Sequence, residues 1–434
     1  MIPSRRVYSL LALGILLAPI QALIWNLPVS IFCTLLFDAV VLGLMVVDGW
    51  RSRRHRVQIA RQVQPRLSIA RDNPVVLSVQ SQAAAKIQIR DYYPSKFDVS
   101  VLTLNASLPA NSNQELTYTV HPSKRGEFHW GDIQVRQLGF WGLAFDDWKI
   151  PQSQKIEVYP DLIGLRSLSI RLTLKSAGSM RQFRQKGIGT EFVELRDYSS
   201  GDDFRLLDWK ATARRSRPLI RVLEPEQEQT LIILLDRGRL MTAQVLGLKR
   251  FDWGLNATLS LALAGLNRGD RVGIGVFDRQ MHSWIRPERG QNQLARLVER
   301  LTPIQPVLIE SDYLGAVTTV VQQQTRRSLV VLITDLVDIT ASSELLAAIG
   351  RLAPRYLPFC VTLRDPQIDF QAHNFAQDIP AAYARAVALD LLSQRQVAFA
   401  QLKQKGVLVL DAPANQITDR LVDRYLQIKA RNQV

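Results

Sequence analysis

Thr230-Leu231-Ile232-Ile233-Leu234-Leu235-Asp236 and Leu329-Val330-Val331-Leu332-Ile333-Thr334-Asp335 are the two stretches that decide the fold. Each is an unbroken apolar run closed by an acid, the mark of a short strand buried on both faces of a parallel sheet. Similar runs recur at 272–277, 359–363 and 407–410. Helical periods lie between them: Phe251, Leu255, Leu259, Ala262 and Leu266 share one face, as do Ile417, Leu421, Tyr425 and Ile428. Strands alternating with amphipathic helices predict a doubly wound α/β domain over 228–434. In such a sheet the ligand crevice lies beyond the carboxyl ends of the strands, where Asp236 and Asp335 fall.

Upstream the period changes. Val75-Val76-Leu77-Ser78-Val79, Lys86-Ile87-Gln88-Ile89 and Leu116-Thr117-Tyr118-Thr119-Val120 are short strand-like runs punctuated by Pro, Gly, Asn and Ser. They predict an antiparallel β-sandwich over 57–165; the aromatics between Phe128 and Trp148 make either a partner surface or, the preferred reading because sandwich cores consume aromatics, part of its core. A charged segment, 166–227, joins it to the α/β domain.

Residues 7–25 carry no charge and residues 29–47 carry only Asp38. At 1.5 Å per residue each run reaches about 28 Å, enough for a hydrocarbon core. With Asn26, Leu27 and Pro28 as a turn, 1–56 reads as a hairpin of two N-terminal transmembrane helices. Arg5 and Arg6 precede it and Arg51, Arg53, Arg54 and Arg56 follow it, so the positive-inside rule puts both ends, and the soluble body, in the cytoplasm. Asp38, costly in lipid, marks either a partner contact or, the preferred reading, an acid facing the other helix or water near Asn26.

The net charge of +15 is local: 1–56 and 171–221 together supply +10. A bilayer with an anionic inner leaflet accounts for a basic balance of this kind. Two cysteines, Cys33 and Cys360, exclude a disulfide framework. The five histidines are not at metal-ligand spacing, and there is no Gly-x-Ser-x-Gly elbow. Gly187-x-Gly189 lacks the third glycine of a dinucleotide loop and the Gly-Lys-Ser/Thr of a phosphate loop. Nothing in this inventory calls for a catalytic residue.

The crevice acids suggest one further chemistry. A strand closed by Asp236 and a later strand followed by Asp335 resemble a von Willebrand factor A domain, in which an Asp-x-Ser-x-Ser loop, a Thr and a later Asp hold a divalent ion that bridges to an acidic partner. Here Gly238 and Leu240 stand where the two serines would, while Ser311 or Asp312 lies near the Thr position. The resemblance thus implies a degenerate site of Asp236, Asp335, Ser311 and Asp312, with Mg²⁺ as the cation such oxygens would take. The alternative is that Asp236 binds loop backbone, with Arg237 and Arg239 supplying positive charge nearby.

The most specific string precedes this domain: Gly187-Ile188-Gly189-Thr190-Glu191-Phe192, Leu195-Arg196-Asp197-Tyr198, Gly201-Asp202-Asp203, Arg205 and Asp208-Trp209-Lys210-Ala211-Thr212-Ala213-Arg214. It resembles the signature of the bacterial "domain of unknown function 58" family, whose members join N-terminal membrane helices, a β-rich segment and a von Willebrand A-like domain. Physically, Arg196, Arg205 and Arg214 among so many acids form either an ion-pair network or a docking surface. The resemblance implies a multi-pass protein of the bacterial inner membrane acting as a protein-interaction adaptor, beside a MoxR-type AAA+ ATPase and a client protein. The rivals are a divalent-metal-dependent hydrolase at Asp236 and Asp335, and a membrane-tethered nucleic-acid binder using Lys210, Arg214, Arg215, Arg217 and Arg221. The second lacks a recognisable reading module.

Overall fold

A computed structural model describes residues 1–24, 27–183, 191–224, 229–336, 343–353, 355–375 and 378–431. The chain divides into two compact units, Met1–Tyr159 and Pro160–Val434. The boundary expected at 165 moves to Tyr159, because the chain is already helical over Leu162–Phe183 and the first stretch of that helix, Leu165, Leu168 and Leu172, packs into the α/β core.

The first unit begins with helices α1 (Arg5–Ile24) and α2 (Leu27–Arg54). Among the described residues one helix, α2, is long and apolar enough to cross a membrane, with mean hydropathy 2.4 over 18 residues. The expectation of two spans is corrected to that one among the described residues; 25–26, between the two helices, lie outside them. Leu27 and Pro28, expected in a turn, open α2 instead, since a proline needs no hydrogen-bond donor in a first helical turn. The two helices pack together. Asp38 meets Gly14 of α1, where a Cβ would fall 2.9 Å from its carboxylate oxygen.

Strands follow in three sheets. Ala144–Ile150, Ile133–Leu138, Ala85–Asp91 and Leu104–Leu108 form one antiparallel sheet, with Ile2–Pro3 added at its edge. Gln58–Gln62, Asn73–Ser81, Ser112–Pro122 and Phe97–Val99 form a second. In the third, Gln154–Tyr159 pairs antiparallel with Gly126–Trp130 and parallel with Arg66–Ser68. Alternate residues are buried, as in Ala85–Asp91, so the period of two is that of half-buried strands. The unit is β-rich and mainly antiparallel, but it is not the simple antiparallel arrangement expected. A strand that returns about ninety residues later is free to pair in parallel.

A buried polar knot holds this unit. The Arg61 guanidinium lies 2.6 Å from Asp91, which also accepts Tyr118 Oη at 2.6 Å and Trp130 Nε1 at 3.1 Å. Trp130 is fully buried, as expected of the aromatics here. Phe140 and Trp141 are not: they sit exposed on a turn.

The second unit contains the sheet predicted from the apolar runs. Its strands are β1 (Thr230–Asp236), β2 (Arg271–Phe277), β3 (Met281–Glu288), β4 (Leu329–Thr334), β5 (Leu357–Arg364) and β6 (Leu408–Pro413), in the order 3-2-1-4-5-6. All pairs are parallel except β2 with β3, an edge hairpin that leaves the sheet mixed. Leu231, Ile233 and Leu235 enter one core with Arg250–Asn267 and Ile417–Ala430; Ile232 and Leu234 enter another with Tyr313–Gln323 and Ser343–Gly350. Apolar residues on both sides of β1 are why its sequence does not alternate. The order reverses between β1 and β4, so their carboxyl ends flank the switch-point crevice.

Candidate functional site

Leu235 pairs with Ile333 across β1 and β4, which brings Asp236 beside Thr334. Asp236 is buried and its carboxylate is fully engaged. Oδ1 accepts Ser311 Oγ at 2.5 Å and the Gly238 N–H at 2.7 Å; Oδ2 accepts Thr334 Oγ1 at 2.6 Å and Tyr313 Oη at 3.1 Å. Burial pushes this carboxyl above the usual range, against the pull of the four donors. Gly238 is essential to the arrangement: a Cβ there would fall 2.0 Å from Ser311 Oγ and 2.8 Å from the Ile309 carbonyl. The missing serine is therefore what lets Ser311 reach Asp236.

Asp335, one residue past β4, faces other partners. Its Oδ2 lies 2.8 Å from Arg250 Nη1 and its Oδ1 2.8 Å from Arg395 Nη1. Arg395 continues to Asp411 at 2.8 Å, which Arg364 also contacts at 2.8 Å. Asp335, Arg250 and Arg395 are all buried. Two guanidinium groups thus occupy the carboxylate that a divalent ion would need, and Asp236 is occupied by three hydroxyls and an amide. This donor set does not fit Mg²⁺, which demands near-octahedral oxygen ligands and keeps several waters. Among the described residues no three His, Cys, Asp or Glu side chains are placed to share an ion.

Of the four expected ligands, Asp236 and Ser311 meet directly and Asp335 lies at the neighbouring strand end. Asp312 is a helix cap, accepting the Gly315 N–H at 2.7 Å. The nearby Arg237 and Arg239 pair with Asp278 and Glu310 instead, at 2.7 and 2.5 Å. Sequence reasoning missed Arg250, Arg395, Tyr313 and Asp411. One signal was available: Arg395 lies on the stripe of its helix that carries Ala388, Phe399 and Leu402, where a charge needs a buried partner.

The signature string forms a two-stranded antiparallel hairpin, Glu191–Asp197 with Leu219–Glu224, carrying the short helix Trp209–Arg215. Gly187 and Gly189 lie outside the described residues, and Glu191 and Phe192 open the first strand. Arg196 pairs with Asp202 at 2.6 Å in a turn where Gly201 takes a φ of 109°. The Ser199 N–H, then Arg196, hold the Asp202 carboxyl below the usual range. Asp208 caps the short helix, accepting the Ala211 and Lys210 N–H groups at 3.0 and 3.1 Å, and takes Arg221 at 2.9 Å. The Ala211 N–H, followed by Arg221, lowers its carboxyl too.

The expected network is thus partly formed. Arg196 is paired, but Arg217 and Arg221 do the work expected of Arg205 and Arg214, because strand pairing brings those later residues back over Asp197 and Asp208. Among the described residues Arg205 and Arg214 have no carboxylate partner. Tyr198 and Phe204 stack at 5.2 Å, and Phe204 and Trp209 are 67% and 71% exposed.

The family described as "Protein of unknown function DUF58" matches residues 194–369, from within the first hairpin strand, past Asp236, Ser311 and Asp335, to just beyond β5, so the resemblance read from the signature is shown over that stretch. Uncharacterized protein YeaD of Bacillus subtilis is 44% identical over 165 residues, 38% of this chain and 39% of that protein. An uncharacterized protein of Mycobacterium tuberculosis is 24% identical over 152 residues, 34% of this chain and 48% of that one. The chain spans about half the length of the curated relatives it matches, or less. Similar solved structures include the conserved hypothetical protein BatB of Bacteroides thetaiotaomicron, with 13% identity, 46% of this chain, 99% of that chain and a TM-score of 0.32. The SpRpn10 VWA domain has 11% identity, 45% and 94% coverage and a TM-score of 0.30.

Proposed function

We propose that this chain is a membrane-anchored protein-interaction module, an adaptor that presents a client protein to a MoxR-type AAA+ ATPase at the bacterial inner membrane. The observation that carries this reading is the exposed pair Phe204 and Trp209 on the signature hairpin. The acids around them are committed to caps and ion pairs, while Arg205 and Arg214 lack carboxylate partners among the described residues. Large aromatics and arginines dominate the energetics of protein interfaces, and a surface held rigid by its own caps loses little entropy on binding. The crevice is in keeping with this reading, since both of its acids are satisfied internally, Asp236 by hydroxyls and an amide and Asp335 by two guanidinium groups.

The membrane part of the proposal rests on α2, with α1 lying back along it and Arg51, Arg53, Arg54 and Arg56 at the cytoplasmic end. The soluble units then face the cytoplasm, where an AAA+ ATPase is found.

The test is binding of the full chain, purified in detergent, to the MoxR-type ATPase of the same organism, with and without ATP. The wild-type chain should bind. The Phe204→Ala/Trp209→Ala chain should lose about 30-fold or more in affinity, the loss of about one hot spot. Absence of wild-type binding in both nucleotide states, or equal binding by the variant, refutes the proposal.

A further inference from the structure

Where α2 leaves its apolar run, the β strands of the first unit are fastened to it. Asp48, buried one residue past Val47, accepts the backbone N–H groups of Trp141, Leu143 and Ala144 at 3.0, 3.0 and 3.3 Å. Gly139 lies so close that a Cβ would fall 2.2 Å from Asp48 Oδ2. Ser4 donates to the Gly142 carbonyl at 2.6 Å, and Leu143 packs with Val7 and Val41 of the two helices. Arg53 and Arg56 reach the buried Asp146 at 3.3 and 2.8 Å. The 139–142 turn is therefore fixed at the level where the apolar part of α2 ends.

The side chains on that turn point away from every core. Phe140 is 73% and Trp141 41% exposed, and Trp50 of α2 is 54% exposed. Arginines lie against them: Arg51 is over Phe140 at 5.4 Å, Arg54 over Trp50 at 3.6 Å, and Arg6 donates to the Trp141 carbonyl at 3.3 Å. Nothing in the fold of the unit asks for exposed rings here, whereas Trp130 a few residues earlier is fully buried. Aromatic rings at the end of an apolar helix, interleaved with guanidinium groups, match the headgroup layer of a bilayer: the rings suit the boundary with the acyl chains, and the cations suit lipid phosphates.

We propose that the 139–142 turn is a second membrane-contact site, which enters the headgroup layer of an anionic leaflet beside α2. Phe140, Trp141 and Trp50 lie at the acyl boundary, and Arg6, Arg51 and Arg54 contact phosphates. Together with the Asp48 fastening, this contact holds the β strands at a fixed angle on the membrane instead of leaving them to swivel on a single helix. The inference rests on the membrane anchoring proposed above and adds to it a lipid class and a surface.

The experiment uses the full chain with Cys33→Ser, leaving the buried Cys360, whose thiol burial pushes up to about 12. A single environment-sensitive fluorophore is placed by Phe140→Cys or, on the exposed face of a strand in another sheet, by Asn113→Cys. The chain is reconstituted in nanodiscs of phosphatidylcholine alone or with phosphatidylglycerol. The expected result is a blue-shifted emission at position 140, quenched by spin-labelled lipid and stronger with phosphatidylglycerol, and neither effect at 113. Water-like emission at 140 in a chain that resists alkaline carbonate extraction overturns this inference and leaves the anchoring intact. A chain that carbonate extracts overturns both. Equal shielding in the two lipids overturns the anionic preference, and shielding at 140 that appears only on adding a second protein assigns the surface to that protein instead.

Discussion

Replacing Arg395 by Met tests whether the crevice is held by arginine. Methionine keeps the unbranched stem on the apolar stripe of the helix but removes the guanidinium from Asp335 Oδ1 and Asp411 Oδ1, each at 2.8 Å, and from the Leu336 carbonyl. Breaking a buried pair costs about 3–5 kcal/mol, mainly because a charge is left alone. Here neither acid is stranded: Arg250 stays on Asp335, and Arg364 and Thr362 stay on Asp411. The ionic cost therefore sits near the lower end, about 3 kcal/mol, and the orphaned carbonyl adds about 1 kcal/mol. In a domain of this size each kcal/mol lowers the melting temperature by about 2–4 °C, so the α/β transition should fall by about 8–16 °C in calorimetry of the full chain in detergent. Arg395→Lys, with charge but no planar fork, should fall between the two. Adding Arg250→Met to Arg395→Met strands Asp335, so the double variant should lose at least about 1 kcal/mol more than the sum of the singles. A loss under about 1 kcal/mol for Arg395→Met, or strict additivity in the double variant, would refute the arginine-held crevice.

Two other expectations concern the buried acids. Burial raises the Asp236 carboxyl, so the native state keeps its proton after the unfolded chain has released it; the associated stability is complete below the ordinary Asp range and is lost as pH rises through the raised value. Asp236→Asn should flatten that part of the pH–stability profile relative to wild type, and an unchanged difference between the two chains from pH 3 upward, within about 0.5 kcal/mol, counts against it. In the first unit, Asp91→Ala leaves the Arg61 guanidinium buried and removes the acceptor of Tyr118 and Trp130. It should cost that unit about 3–5 kcal/mol in a urea melt, with the α/β transition unmoved; a loss under about 1 kcal/mol contradicts the polar knot.

How much of this was legible depends on which interactions are local. An apolar run closed by an acid fixes both a two-sided strand and its exit, so β1, β4 and the strand-end positions of Asp236 and Asp335 follow from residues next to one another. The charged hairpin is legible as composition, and the apolar length of α2 is legible because crossing hydrocarbon depends on local hydropathy alone. Edge strand β3 escaped because Met281–Glu288 mixes polar and apolar residues without a clean period. The parallel pairing of Arg66–Ser68 escaped for another reason: a pair so far apart in the chain leaves no mark in either partner's sequence.

What the sequence by itself determined is therefore the set of elements and the ends at which chemistry could gather. Only the tertiary structure decided what gathers there. Arg395 lies 60 residues from Asp335, and Ser311 lies 75 from Asp236, yet these pairs make the crevice an arginine- and hydroxyl-filled site rather than a metal cradle. Likewise Phe140 reads as core until Asp48 fixes its turn outward at the end of α2. The physical reason is the same in each case: charge and exposure are settled by which side chains meet across the fold, and the meeting is set by strand order and helix packing, which no single segment contains.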